Sequence, residues 1–178
     1  MIVLVTGGAS CGKSAYAERL CVDLGGPLVY LAAMRPVGEE GARRVRKHRA
    51  QRAGKGFETV ECYEDFSLMA HDERLRGATV LLECLGNVVA NELFGPEDFS
   101  EAGDLASCGA SIMETFDAIA ARCAHLVVVG NEIGSDGVEY SEETQAYQKL
   151  TGSTARAVAM RCDRVVECVA GVPIVLKG

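Results

Sequence analysis

Near the start of the chain, three glycines, a lysine and a serine stand at a spacing suited to handling phosphate. Residues Gly7 to Ser14, GGASCGKS, fit the pattern GxxxxGK(S/T). In that pattern the backbone N–H groups of Gly7, Gly8, Ala9, Ser10, Cys11 and Gly12 curl round a phosphate. Lys13 reaches the outer phosphates as a point charge, and Ser14 offers its hydroxyl to Mg²⁺. The first turn of the following helix adds a partial positive charge. The implied ligand is a nucleoside triphosphate. Cys11 lies inside the loop at that helix N-terminus, where a thiol is expected to have a lowered pKa and to be redox-sensitive.

Two further residues carry candidate chemistry. Glu83 closes the apolar run Val80, Leu81, Leu82, so a strand would carry its carboxylate from the core to the sheet mouth. There it would hold Mg²⁺ opposite Ser14 or orient an attacking group. His48 sits in RRVRKHRAQRAGK, residues 43 to 55, among cations with no acid between them. Those cations should depress its pKa, leave the imidazole neutral and nucleophilic near pH 7, and attract a polyphosphate, with Arg49 and Arg52 the nearest arginines on its C-terminal side. Spacing alone equally allows a solvated basic face. Asn131 and Glu132 end another apolar run and are weaker candidates, while His71 and His125 read as structural.

The elements that must position these groups alternate. Ile2 to Val5 is a short buried strand, followed by a helix; Gly25, Gly26 and Pro27 break it, and Leu28 to Ala33 reads as a second strand, expected beside the first. A basic helix from Gly38 to about Ala53 has Val45 as almost its only large aliphatic residue, so it belongs over the site or in an interface. Phe57 to Val60 fits a strand, Glu64 to Leu75 a helix, and Ala78 to Glu83 a third buried strand. A helix over Gly86 to Phe94 precedes the polar stretch Gly95 to Asp104, expected to be mobile. Leu105 to about Arg122 is a long helix, His125 to Gly130 a central strand, and Ser141 to about Arg161 a second long helix. RVVECV and PIVLK, separated by Ala170 and Gly171, then form a hairpin. The fold class is α/β: a P-loop NTPase with a mostly parallel sheet, helices on both faces and an antiparallel C-terminal hairpin at the edge. Active groups should gather at the strands' carboxyl ends.

Composition sets the bounds. A chain of 178 residues, 48% hydrophobic and 24% charged, fits one domain over 1–178 with a proper core. Its net charge of −7 argues against nucleic-acid binding, and no apolar run is long enough to span a bilayer. No secretory signal is evident, so the cytoplasm is expected. The eight cysteines are scattered through apolar patterns without a CxxC pair and read as mostly buried, reduced thiols.

Taken together, GGASCGKS, the VYLA strand, RVRKHRAQR, LLECLGNVVANELF, NEIG and the closing GVPIVLK resemble, in order and over nearly the whole chain, the bifunctional adenosylcobinamide kinase and adenosylcobinamide-phosphate guanylyltransferase family of cobalamin biosynthesis. The resemblance implies that ATP or GTP phosphorylates the aminopropanol hydroxyl of adenosylcobinamide. GMP from GTP is then passed to that phosphate through a guanylylated histidine, matched by His48, with release of pyrophosphate. It places Lys13, Ser14 and Glu83 on the family's phosphate and metal positions, and implies a corrinoid substrate and a homotrimer. The chain departs from the family pattern at Ala53, in the loop SDGVEY, and at Gln145, Gln148, Lys149, Ala155 and Arg156. The residues themselves leave two other readings open: another small-metabolite kinase, and a nucleotide-binding regulatory protein that has lost one activity.

Overall fold

A computed structural model describes residues 1–63, 65–95, 104–133, 137–138 and 140–178, and only the backbone of Glu40, Arg44, Lys47 and Gln51. The five-residue strands β1 (Ile2–Thr6), β2 (Leu28–Ala32), β3 (Phe57–Glu61), β4 (Thr79–Glu83) and β5 (His125–Val129) are joined by β6 (Arg164–Val169) and β7 (Val172–Lys177). They form one seven-stranded sheet in the order β3-β2-β4-β5-β1-β6-β7. Every pairing is parallel except β6 with β7. The fold class and the edge hairpin are those expected from the sequence.

Period-two alternation sorts the sheet's side chains between two cores. Val3, Val5, Tyr30, Leu81, Val127 and Val129 pack on one face with Ala17 and Cys21 of helix α1 (Lys13–Leu24). Leu4, Val29, Leu31, Val80, Leu82 and Val128 face the other way, into a larger core closed by α3 (Leu85–Phe94), α4 (Leu105–Arg122) and α5 (Glu142–Arg161). Helices therefore cover both faces.

Two expectations are corrected. The second strand does not lie beside the first: β4 and β5 stand between β2 and β1. The reason lies in β3, whose Glu58, Thr59 and Glu61 are exposed and belong at an edge. Its partner β2 goes outward with it, leaving the centre to β4 and β5, which carry continuous apolar runs. The second correction concerns the helix expected over 64–75: residues 65–75 form not one helix but two 3₁₀ turns, Phe66–His71 and Glu73–Leu75, and Glu64 lies outside the described residues. The Asp65 carboxylate accepts from the Ser67 N–H and the Asp72 carboxylate from the Arg74 N–H, so a cap inside the segment restarts it before an α-helix can propagate. The stretch expected to be mobile lies, at 96–103, outside the described residues, as does half of SDGVEY.

The basic helix α2 (Gly38–Arg52) lies over the α1 side of the sheet. Cations rather than a broad apolar face hold it there. The Arg52 guanidinium sits 3.3 Å above the Tyr30 ring centroid, and Lys55, just past the helix, donates to the buried Glu18 carboxylate on α1.

Candidate active site

β1 delivers the chain to the loop at Gly7, and α1 starts at Lys13 with Gly12 as its N-cap. Ser10 (φ 57°) and Gly12 (φ 95°) take left-handed conformations, the kind of backbone from which anion-holding nests of N–H groups are built. Gly8 has open space where a Cβ would be, as a phosphate cradle requires. Gly7 serves a different purpose. A Cβ there, at φ 140°, would lie 2.5 Å from the Cys168 carbonyl oxygen and 2.8 Å from the Cys11 sulfur. This glycine lets the loop rest on the end of β6. The turn after β6 also grips the loop, because the Gly171 N–H donates to the Cys11 carbonyl at 2.9 Å. Lys13, only 7% exposed, folds back so that its ammonium donates to the Gly8 carbonyl at 2.8 Å.

Glu83 arrives at the same mouth from the end of β4. The Ser14 hydroxyl donates to Glu83 Oε1, and the Tyr30 hydroxyl donates to Oε2 at 3.1 Å. His48, from α2, points its Nδ1 at that Oε2 across 3.9 Å. The Nδ1 is buried and has no hydrogen-bond partner among the described residues. The structure thus brings together Lys13, Ser14, Glu83 and His48, drawn from positions up to 70 residues apart in the sequence.

The two arginines occupy different places. Arg52 is buried on Tyr30, with Nε and Nη1 unpartnered among the described residues. Arg49 instead reaches outward to Glu61 at 2.7 Å, in a pair exposed on both sides. Between α2 and strands β2 and β3 lies a cavity of about 260 Å³, walled in part by Met34, Val45, His48, Arg52, Glu61 and Tyr63. A roomier hollow, about 880 Å³, opens along the outer edge of β3; the convergence of functional groups, not volume, marks the site. Asn131 donates its side-chain amide to the Cys84 sulfur at 3.4 Å, next to Glu83. Glu132 has an exposed side chain and meets the loop through its backbone N–H, 3.4 Å from the Gly7 carbonyl.

Sequence reasoning missed Tyr30. Inside the run LVYLAA it reads as core, and it is core, 4% exposed, yet its hydroxyl lands on the key carboxylate. Burial first, and then the neighbouring Glu83 charge, push its pKa upward, so the phenol stays protonated and donates. Burial likewise pushes the Cys21 and Cys62 thiols up to about 12. Cys11 is only half-buried at the loop.

A Mg²⁺ ion coordinated by one or two protein oxygens, with phosphates and waters completing its shell, requires neighbouring hard oxygen donors. The touching Ser14 hydroxyl and Glu83 carboxylate are such a pair. Among the described residues there is no group of three or more His, Cys, Asp or Glu side chains able to hold a metal by themselves. None of the described helices is long and apolar enough to cross a membrane.

Comparison with known proteins covers nearly the whole chain. A family model described as "Cobinamide kinase / cobinamide phosphate guanyltransferase" matches residues 3–176. The chain is 30% identical over 183 residues to the bifunctional adenosylcobalamin biosynthesis protein CobU of Salmonella typhimurium, covering 99% of this chain and 100% of that one. It is 32% identical over 177 residues to the bifunctional adenosylcobalamin biosynthesis protein CobP of Pseudomonas aeruginosa, covering 98% and 96% respectively. Among solved structures, flagellar accessory protein FlaH from Methanocaldococcus jannaschii superposes with a TM-score of 0.52 at 11% identity, over 99% of this chain and 77% of that one. That likeness is one of fold alone.

Proposed function

Because the chain belongs to the cobinamide kinase / cobinamide phosphate guanyltransferase family, we propose that it carries out both reactions of that description. In the first, the terminal phosphoryl group of ATP or GTP passes to the hydroxyl of adenosylcobinamide. In the second, GMP from GTP passes to the new phosphate, giving adenosylcobinamide-GDP. The observation that carries this reading is the shared carboxylate: Glu83 takes the Ser14 hydroxyl on one oxygen and has His48 Nδ1 3.9 Å from the other. A phosphate-handling loop and a nucleophile candidate thus meet at one group.

In the kinase step the loop N–H groups and Lys13 bind the triphosphate and offset the charge that develops as the terminal phosphoryl group leaves. Ser14 and Glu83 would hold Mg²⁺, which when bound supplies further neutralisation of phosphate charge. In the guanylyl step His48 attacks the α-phosphorus: an N–P bond forms, the bond to the bridging oxygen breaks, and pyrophosphate leaves with the electron pair. The phosphate on the corrinoid then displaces the imidazole and takes the GMP. Arg52 and Arg49, along the helix that carries His48, would add positive charge for the polyphosphate.

The partners of this reading are a nucleoside triphosphate and a corrinoid, in the cytoplasm, with no nucleic acid and no membrane insertion. The proposed assembly is a homotrimer. Net charge of −7 supports the reading without nucleic acid. Support for assembly comes from the edge strand β7, where Val172, Ile174, Val175 and Leu176 are all exposed.

The test is incubation with GTP labelled on its α-phosphate. The expected result is an acid-labile adduct on His48, absent from His48→Asn. Phosphorylation of a metabolite without any adduct would leave a small-metabolite kinase, and binding without turnover a nucleotide-binding regulatory protein.

A further inference from the structure

The guanylyl transfer proposed above requires an imidazole that presents one nitrogen to phosphorus while something holds the other. Glu83 is placed to hold it, yet a carboxylate is a loose device: its terminal torsion is broad, and a single contact leaves it free to swing. Here it has two contacts on different oxygens, the Ser14 hydroxyl on Oε1 and the Tyr30 hydroxyl on Oε2. The second contact fixes the plane. With the plane fixed, Oε1 faces the phosphate loop and Oε2 faces α2, where His48 Nδ1 lies buried and unpartnered. An ionised carboxylate oxygen accepts more than one hydrogen bond, so Oε2 can take Nδ1–H while keeping the phenol.

We propose that Tyr30 is a positioning residue for guanylyl transfer, which acts by locking Glu83 so that its Oε2 orients the His48 imidazole with Nε2 toward the α-phosphorus. The inference rests on the guanylyl-transfer reading above. In the step itself the Nε2–P bond forms, the P–O bond to the β-phosphate breaks, and the electron pair leaves with pyrophosphate. The Nδ1 proton stays on the ring, facing Oε2, and the carboxylate offsets the imidazolium charge. Tyr30 suits this task because its own position is overdetermined. It is buried in the middle of β2, hydrogen-bonded pairwise between β3 and β4, and its ring lies under the Arg52 guanidinium at 3.3 Å. Arg52 and His48 share α2, so one aromatic ring fixes both the carboxylate below and the helix above.

Tyr30→Phe removes the hydroxyl and keeps the ring. The experiment compares the two chains in four measurements: the single-turnover rate of adduct formation at saturating GTP, kinase turnover, affinity for a non-hydrolysable GTP analogue, and thermal unfolding. A hydrogen bond to a charged group is worth enough for a loss of about tenfold or more in guanylylation, with kinase turnover and analogue affinity kept within about threefold. Placing 3-fluorotyrosine at position 30, which retains a hydroxyl donor on the same ring, should restore guanylylation. Equal adduct rates in wild type and Tyr30→Phe overturn the inference alone. So does a parallel fall in all activities or a variant that fails to fold, since either assigns the hydroxyl to stability. A wild-type chain that forms no adduct overturns the guanylyl-transfer reading and this inference with it.

Discussion

Gly7 and Gly8 are adjacent and identical in type, yet they do different work. Gly7→Ala places a methyl group 2.5 Å from the Cys168 carbonyl at a φ of 140°, and should cost about 1–3 kcal/mol of stability, read as a lower unfolding midpoint. At Gly8 an added Cβ meets nothing within 4 Å, so Gly8→Ala should leave the midpoint unchanged and weaken nucleotide binding instead. A midpoint drop for Gly8→Ala would refute that division. Thiol chemistry separates residues in a similar way. Cys21 and Cys62 are raised to about 12 and hold almost no thiolate at pH 8, whereas Cys11 is half-buried in the loop. A thiol reagent at that pH should modify Cys11 well before those two, and GTP should slow it; equal rates with and without GTP would exclude a nucleotide over Cys11. At this scale the sequence spoke clearly where a residue type is rare in its setting, as with Lys13, Ser14, a strand-end glutamate and a histidine among arginines. It was silent about Tyr30, since a tyrosine in an apolar strand looks the same whether its hydroxyl meets a carbonyl or a carboxylate at the sheet mouth. It also assigned both glycines to the ligand, because the strand end beneath Gly7 is 161 positions away in the chain.

Among the elements, the long periodic ones were legible. α4 and α5 carry apolar stripes with side-chain caps at Asp104 and Ser141, and their ends lie where the sequence puts them. The segment 64–75 was not legible, because helix-forming residues there are overridden by two aspartates that bond their own backbone. Its second turn is fastened to α4 by charge: Glu73 accepts from Arg76 at 2.9 Å and from Arg122 at 2.7 Å. Those two guanidinium groups hold the Glu73 carboxyl down at about 2, below its ordinary 4.5. A carboxyl depressed in the folded state stabilises above its unfolded value and loses that stabilisation as pH falls through the folded one. In low salt, Tm of wild type should therefore exceed that of Glu73→Gln near pH 7, with the gap closing as pH falls from about 4.5 toward 2. Because Glu73 is exposed, salt should shrink the gap at pH 7. A gap independent of both pH and salt would assign the effect to packing.

For the molecule as a whole, strand alternation sufficed for a doubly covered parallel sheet, but not for the order of its strands. Order depends on which strands can tolerate an edge, and only the exposed Glu58, Thr59 and Glu61 of β3 show why β2 was drawn away from β1. The exposed apolar side chains of β7 sit on the opposite edge. If the homotrimer covers them, sedimentation equilibrium should give the mass of three chains, and Val175→Lys should lower it; a one-chain mass for the wild type would refute the assembly. The contact of Gly7 and Cys11 with Cys168 and Gly171 has a further consequence in time. During synthesis the nucleotide cradle leaves the ribosome well ahead of its floor and its latch, because Cys168 lies 161 positions after Gly7. A growing chain would therefore have no finished cradle until Gly171 has emerged, and a message cut short before residue 168 would yield a polypeptide bearing the full motif with nothing beneath it.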